Sequence, residues 1–133
     1  MNHPYQELIV ERHKHPLHAG KPAQFDAQGQ GANPICGDKV RVYLTRAGMD
    51  VHYEAEGCAV MNASADLMAD AVAGKSLAQI EKMSREFETI ITTGQENQAL
   101  GELNAFAGLA EFSSRQRCAT LPWSALAEAL HHV

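Results

Sequence analysis

The sequence of 133 residues contains no apolar run long enough to span a membrane, and its N-terminus lacks the basic and apolar regions of a signal peptide. It also has no dense cluster of Lys and Arg beyond Arg115 and Arg117, and its formal net charge is -5. Nucleic-acid-binding surfaces are usually basic, so this charge argues against such a partner. We therefore expect a cytoplasmic protein that binds neither membranes nor nucleic acids.

Cysteine is scarce as well, with three residues, and an odd number cannot pair completely in disulfides within the chain. In a reducing compartment, such cysteines are free thiols or metal ligands rather than disulfides. The composition, with 45% hydrophobic and 20% charged residues, is typical of a globular protein. A chain of this length buries a core without disulfides, so we predict a single domain over residues 1–133.

The first half of the chain has the patterns of one helix and several strands. Helical spacing of apolar residues predicts a helix over residues 4–14, and the small, polar residues 23–33 indicate a weak edge strand. Alternating apolar residues over 40–45 and 51–55 predict a β-hairpin.

The second half is rich in Ala, Met and Leu and predicts helices. One extends from Cys58 to a stop at Gly74, and further helices are predicted over 77–83 and around Phe87 to Ile91. The pattern over 95–111 is ambiguous and would fit a short helix. The last helix is predicted from Ala119 or Thr120 to about His131, with Pro122 in its first turn. Strands followed by helices predict an α+β fold, with an antiparallel sheet of about three strands packed on one side by several helices.

The three cysteines lie at turns or predicted helix starts. Cys36 is in the string Pro-Ile-Cys-Gly-Asp, Cys58 follows Gly57 at the start of a predicted helix, and Cys118 precedes the predicted last helix. Free N–H groups and the helix dipole at a helix start are expected to lower a thiol pKa. Three thiols with the carboxylate of Asp38 would supply the four ligands of a tetrahedral metal ion, at one end of the sheet.

Four segments carry a family resemblance that covers nearly the whole chain. The strings from Asn33 to Asp38, from Gly57 through Asn62-Ala63-Ser64-Ala65, and from Arg115 to Leu121 resemble the U-type iron–sulfur assembly proteins, and the opening from Tyr5 to Gly20 is similar too. Asn62 and Asp66 depart from the Ser and apolar residues that are usual in this helix of the family.

Within that family the chain resembles the SufU branch more than the IscU-like scaffold branch. The scaffold branch carries a His directly before the third cysteine, where this chain has Arg117, and it has fewer residues between the second and third cysteines than the 59 that separate Cys58 from Cys118. The resemblance implies that Zn(II) is held by four residues, namely Cys36, Asp38, Cys58 and Cys118.

The resemblance further implies that Cys36 receives persulfide sulfur from a SufS-type cysteine desulfurase, with Arg115 as a supporting basic residue. Iron–sulfur scaffold proteins would then act downstream. Two alternatives remain open at this point. The chain could be a scaffold that assembles a [2Fe–2S] cluster on the three cysteines and Asp38, or a non-catalytic adaptor that zinc stabilises.

Overall fold

The computed structural model describes residues 4–35 and 37–132. The first half of this part of the chain contains helix α1 (Pro4–Lys14) and strands β1 (Ala27–Asn33), β2 (Asp38–Thr45) and β3 (Asp50–Glu56). The second half contains helices α2 (Ala59–Val72), α3 (Leu77–Thr93) and α4 (Ser113–His131), with a 3-10 segment over Gln98–Glu111 before α4.

The three strands form an antiparallel sheet in the order β1–β2–β3. Val42 in the middle strand is paired with Gly29 on one side and Tyr53 on the other. Along β2, Val40 and Val42 are buried while Arg41 between them is exposed, as expected for a sheet with one covered face. Helix α4 packs on β1 and β2, and α2 packs on β3. The predicted α+β fold, the edge strand and the hairpin are confirmed.

Helix α3 is continuous, so the prediction of two helices over this stretch was wrong. The capping box at Ser76 starts the helix, and Gly94, with a φ of 77°, ends it. No glycine or proline lies between these two positions to interrupt it. The ambiguous stretch after it forms the 3-10 segment, which Gly101 interrupts with a φ of 52°.

Helix α4 begins at Ser113, earlier than the predicted start at Ala119 or Thr120. Cys118 therefore lies inside the helix rather than before it, and Pro122 lies in the helix interior rather than in the first turn. The prediction placed Pro122 in the first turn because proline is tolerated there and disrupts a helix interior. The residue at the actual start, Phe112, makes no side-chain capping hydrogen bond and so gives no such sign.

Glycines in β1 allow α4 to cross the sheet closely. A Cβ atom on Gly29 would lie 2.0 Å from the backbone oxygen of Ala125 and 2.6 Å from the backbone nitrogen of Ala129. Both contacts are with helix backbone, which cannot rotate away as a flexible side chain would. The approach of α4, which carries Cys118, therefore requires glycine at this position of the strand.

We expect Gly29→Ala to lower the free energy of unfolding by about 1–3 kcal/mol, because an extra methyl group would overpack the α4–β1 contact. Chemical denaturation of the metal-free protein measures this. Gly108→Ala is the control, since a Cβ there would meet nothing within 4 Å. Equal stabilities of the two variants would contradict the close helix–strand approach.

A buried charged network holds the N-terminal region on α2. Asp66 is fully buried, and its carboxylate accepts hydrogen bonds from four donors, which are Nε of Arg12, the hydroxyl of Tyr53 and the backbone N–H groups of Leu17 and His18. Arg12 and His18 also contact the carboxylate of Asp70 one turn further along α2. The Asp66 departure from the family pattern therefore serves an internal contact of this chain.

Asp70 is expected to make the stability depend on acid pH. Partial burial raises its pKa, but the hydrogen bonds and charges of Arg12 and His18 lower it by more, so the pKa of Asp70 lies below its ordinary value. A carboxylate with a depressed pKa stabilises the fold above its unfolded pKa, and this contribution is lost as the pH falls through its folded pKa. Below about pH 4, the free energy of unfolding should therefore fall less steeply for Asp70→Asn than for wild type. Parallel curves from denaturation at several pH values would refute this.

Among residues 4–35 and 37–132, no helix combines the length and the apolar character that crossing a bilayer requires.

Candidate metal centre

Three ligand-type side chains from separate parts of the chain meet at one end of the sheet. Asp38 is the first residue of β2 and is 3% exposed. Cys58 is the N-cap residue of α2, directly after β3 and Gly57. Cys118 is buried in the second turn of α4. The sheet edge and two helices therefore each supply one side chain.

The carboxylate of Asp38 bridges the two cysteines. Its Oδ2 lies 3.0 Å from Sγ of Cys118 and 3.9 Å from Sγ of Cys58, and its Oδ1 accepts a hydrogen bond from the backbone N–H of Cys58 at 3.3 Å. One ligand atom from each of the three residues lies within 4.8 Å of those of the other two. Together with Gly57, Ser114 and Arg115, the three residues line an open pocket of about 360 Å³.

Gly57 leaves the space that the Asp38 carboxylate occupies. A Cβ at this position would lie 2.2 Å from Oδ1 and 2.8 Å from Cγ of Asp38, and 2.8 Å from the terminal methyl group of Met61. The φ of 153° at Gly57 is also one that residues with a side chain rarely adopt. Glycine is therefore a structural requirement of the site.

Burial raises the pKa of the Cys118 thiol well above its ordinary value, and the hydrogen bond to Asp38 and the contact with Cys58 raise it further. The predicted lowering of this pKa by a helix start was wrong, because Cys118 lies inside α4 and not at its first residue. A metal ion would offset the cost of a buried thiolate here and would release the thiol proton on binding.

Arg115 is the predicted supporting residue, and it lies at the mouth of this pocket. The charge of Cys58, a hydrogen bond to it and the charge of Cys118 raise the pKa of the guanidinium group, whose side chain is exposed to solvent. Arg117, which occupies the position of the scaffold-branch histidine, is exposed on α4. The structure therefore places Arg115, three residues before Cys118, in the lining of the pocket that also contains both thiols.

Comparison with known proteins identifies the family. The family model of the NifU-like N terminal domain matches residues 4–119 of the chain. The chain belongs to this family. It is 35% identical over 98% of its length to "Iron-sulfur cluster assembly scaffold protein IscU" of Streptococcus pyogenes serotype M1, and covers 84% of that protein. The resemblance inferred from the cysteine strings is confirmed.

The similar proteins include one named as a sulfurtransferase as well as the one named as a scaffold. It is 32% identical over 92% of its length to "Zinc-dependent sulfurtransferase SufU" of Bacillus subtilis (strain 168), and covers 86% of that protein. A crystal structure of a hypothetical protein, 34% identical, superposes with a TM-score of 0.87 and covers 98% of this chain and 99% of its own. Family membership therefore leaves the choice between scaffold and sulfurtransferase to the site itself.

Cys36, the predicted fourth ligand, lies outside the described residues, so its ligand role stays a prediction. Its neighbours are described. Ile35 is 86% exposed, and Gly37 adopts a φ of 75° with open space where a side chain would be. Asp38 follows at the start of β2. The segment on each side of Cys36 therefore leads into the end of the sheet where Asp38, Cys58 and Cys118 meet.

Two further residues support the site around Cys58, and this role was not predicted for either of them. The side-chain amide of Asn62 donates to the backbone oxygens of Cys58 at 3.0 Å and Gly57 at 3.3 Å, which holds the first turn of α2 around the cysteine. Met61, also in that turn, is fully buried under Gly57. Asn62 departs from the family pattern, and its position in the structure explains what its side chain does here.

The donor set suits a zinc ion. Two thiols and one carboxylate oxygen are ligand types of tetrahedral Zn(II), and two thiolates bound to one zinc at about 2.3 Å stand about 3.8 Å apart. The three donor atoms already lie within 4.8 Å of one another, so small side-chain adjustments would suffice. Asp38, Cys58 and Cys118 would hold such an ion from the end of the sheet.

Proposed function

We propose that this chain acts in iron–sulfur cluster biogenesis as a zinc-binding sulfur acceptor that takes persulfide sulfur from a SufS-type cysteine desulfurase. The observation that carries the proposal is the position of Arg115 at the mouth of the pocket, which it lines together with Cys58, Cys118 and the buried Asp38. A cation beside two thiolates and a carboxylate would partly offset the excess negative charge of a site that holds one divalent ion.

Zinc, when bound, would keep its cysteine ligands as thiolates at neutral pH. The Cys36 thiolate then attacks the outer sulfur of the persulfide that the desulfurase carries on its own cysteine. A new S–S bond forms at Cys36, the S–S bond in the partner breaks, and the desulfurase cysteine leaves as a thiolate. Gly37, whose φ of 75° suits glycine, gives the backbone beside Cys36 the freedom to move away from Asp38.

The open mouth of the pocket suits such a transfer. Ser114 and Arg115 are exposed there, while Asp38 and Cys118 are buried behind them. A partner's persulfide can therefore approach from the solvent side without displacing core residues. We infer that Arg115 supports the reaction by stabilising the thiolate of the desulfurase cysteine as it leaves. A downstream iron–sulfur scaffold protein would then receive the sulfur in the cytoplasm.

Metal analysis of the native protein, combined with the turnover of the desulfurase with and without this chain, tests the proposal. About one zinc per chain together with faster turnover is the expected result. Iron with inorganic sulfide and charge-transfer absorption would instead support the [2Fe–2S] scaffold. Zinc with unchanged turnover would support the non-catalytic adaptor.

The scaffold alternative has its own test at Arg117. If the cation at this position favours a mononuclear zinc site, Arg117→His should hold a [2Fe–2S] cluster stably after anaerobic reconstitution, and wild type should not. Absorption spectra and iron and sulfide analysis measure this, and Arg117→Lys is the control because it keeps the charge. Equal cluster retention in all three proteins would contradict a role for Arg117 in metal choice.

A further inference from the structure

A buried hydroxyl group joins the two helices that carry the cysteines. Ser64 of α2 is fully buried, and its Oγ donates a hydrogen bond of 2.5 Å to the backbone oxygen of Ala119 in α4. Ala119 follows Cys118 directly, and Cys58 is the N-cap residue of the helix that contains Ser64. This contact therefore connects the backbone at one cysteine to the helix that begins at the other.

Pro122 makes this connection more important than an ordinary helix–helix contact. It lies four residues after Cys118 inside α4 and has no backbone N–H. The carbonyl of Cys118 therefore lacks the donor that it would ordinarily have at that position, and a proline ring crowds the carbonyl four residues before it. The turn of α4 that carries Cys118 thus has one backbone hydrogen bond fewer, and outside contacts contribute more to its position.

Packing alone does not require a serine at position 64. Its neighbours in sequence are Ala63 and Ala65, both fully buried, and an alanine would fill nearly the same volume. A buried hydroxyl costs desolvation free energy that its hydrogen bond roughly offsets, so the net effect on stability is small. Elsewhere in the chain, Ser124 and Thr93 bond to carbonyls of their own helices, whereas Ser64 bonds to a different helix.

We propose that Ser64 is a positioning residue of the metal centre. Its hydrogen bond to Ala119 fixes the weakened turn of α4 against α2, so that Cys118 and Cys58 stand at the separation that one metal ion requires. The inference rests on metal binding by Asp38, Cys58 and Cys118, which is part of the proposed function. It assigns to Ser64 a selective effect on metal affinity and ligand geometry, with little effect on the stability of the metal-free fold.

The test compares Ser64→Ala with Ser124→Ala, a matched control that removes an exposed hydroxyl from α4. Zinc affinity is measured by competition with a chromophoric chelator, and ligand geometry by the absorption spectrum of the Co(II)-substituted protein. We expect Ser64→Ala to bind zinc about 10–100-fold more weakly and to alter the Co(II) spectrum, as loss of a residue supporting a ligand does. Ser124→Ala should match wild type in both measurements.

A variant that lacks Pro122 tests why Ser64→Ala weakens zinc binding. Pro122→Ala restores a backbone N–H that can bond the Cys118 carbonyl, so Ser64→Ala should weaken zinc binding less in that background than in wild type. An equal loss in both backgrounds would overturn the proposed part of Pro122 and with it the positioning argument. Denaturation of each metal-free variant shows whether any loss of affinity merely follows a loss of stability, which would also overturn it.

The outcomes separate this inference from the proposed function. If wild type binds zinc and Ser64→Ala binds it equally well with an unchanged Co(II) spectrum, the positioning role is wrong while the metal centre stands. If wild type binds no zinc, the metal centre is wrong and the positioning role fails with it.

Discussion

Replacement of Cys36 by alanine is expected to abolish the stimulation of a SufS-type desulfurase by this chain. In the proposed reaction the Cys36 thiolate is the group that attacks the partner's persulfide, so without it no sulfur leaves the desulfurase by this route. The turnover should then equal that of the desulfurase alone. Mass spectrometry of the wild-type chain after single turnover should show one added sulfur atom on Cys36, and the variant should show none.

A comparison with Cys118→Ala separates the acceptor from the ligands that hold the ion. Cys118 is buried against Asp38, so its removal should cost the metal site while leaving the Cys36 thiol in the chain. In Cys36→Ala the other three ligands remain, and stimulation should be absent even in samples that retain zinc. Unchanged desulfurase turnover with Cys36→Ala would remove Cys36 from the acceptor role.

Gly57→Ala is expected to destroy the metal centre with the rest of the fold intact. The new Cβ would lie 2.2 Å from Oδ1 of Asp38, so the carboxylate would have to leave its position between the two cysteines. The φ of 153° adds backbone strain for any residue with a side chain. Because a ligand itself is displaced, we expect the zinc affinity to fall by about 100-fold or more, at or beyond the range for supporting residues.

The control for this variant is Gly108→Ala, because a Cβ at Gly108 would meet nothing within 4 Å. Zinc affinity measured by chelator competition should be close to wild type for the control and strongly reduced for Gly57→Ala. Circular dichroism of the metal-free proteins should show the same helix content in both. A Gly57→Ala protein that binds zinc as tightly as wild type would contradict the position given to Asp38.

The meeting of Asp38, Cys58 and Cys118 at one end of the sheet was predicted from the sequence, because two of these residues have a clear local signal. Cys58 follows a strand and a glycine at the start of a helix, and Asp38 begins an alternating strand, so both positions could be assigned from pattern. The prediction placed Cys118 at the correct end of the sheet, but for a partly wrong reason. It was predicted to precede α4, whereas it lies in the second turn of that helix.

The environment of each ligand could not be read from the sequence. The raised pKa of Cys118 depends on its burial by α4 and on its contact with Asp38, residues that are far apart in the chain. In the same way, the need for glycine at position 57 comes from Asp38, and the hydroxyl of Ser64 has its partner on another helix. Such contacts depend on how the elements pack, and no local pattern encodes them.

X-ray absorption at the zinc edge of the natively purified protein tests the central claim most directly. We predict about one zinc per chain, bound by three sulfur atoms and one oxygen, and the loss of one of these sulfur atoms in Cys36→Ala. A native protein that holds iron with inorganic sulfide, or zinc whose first shell contains no sulfur, would contradict it.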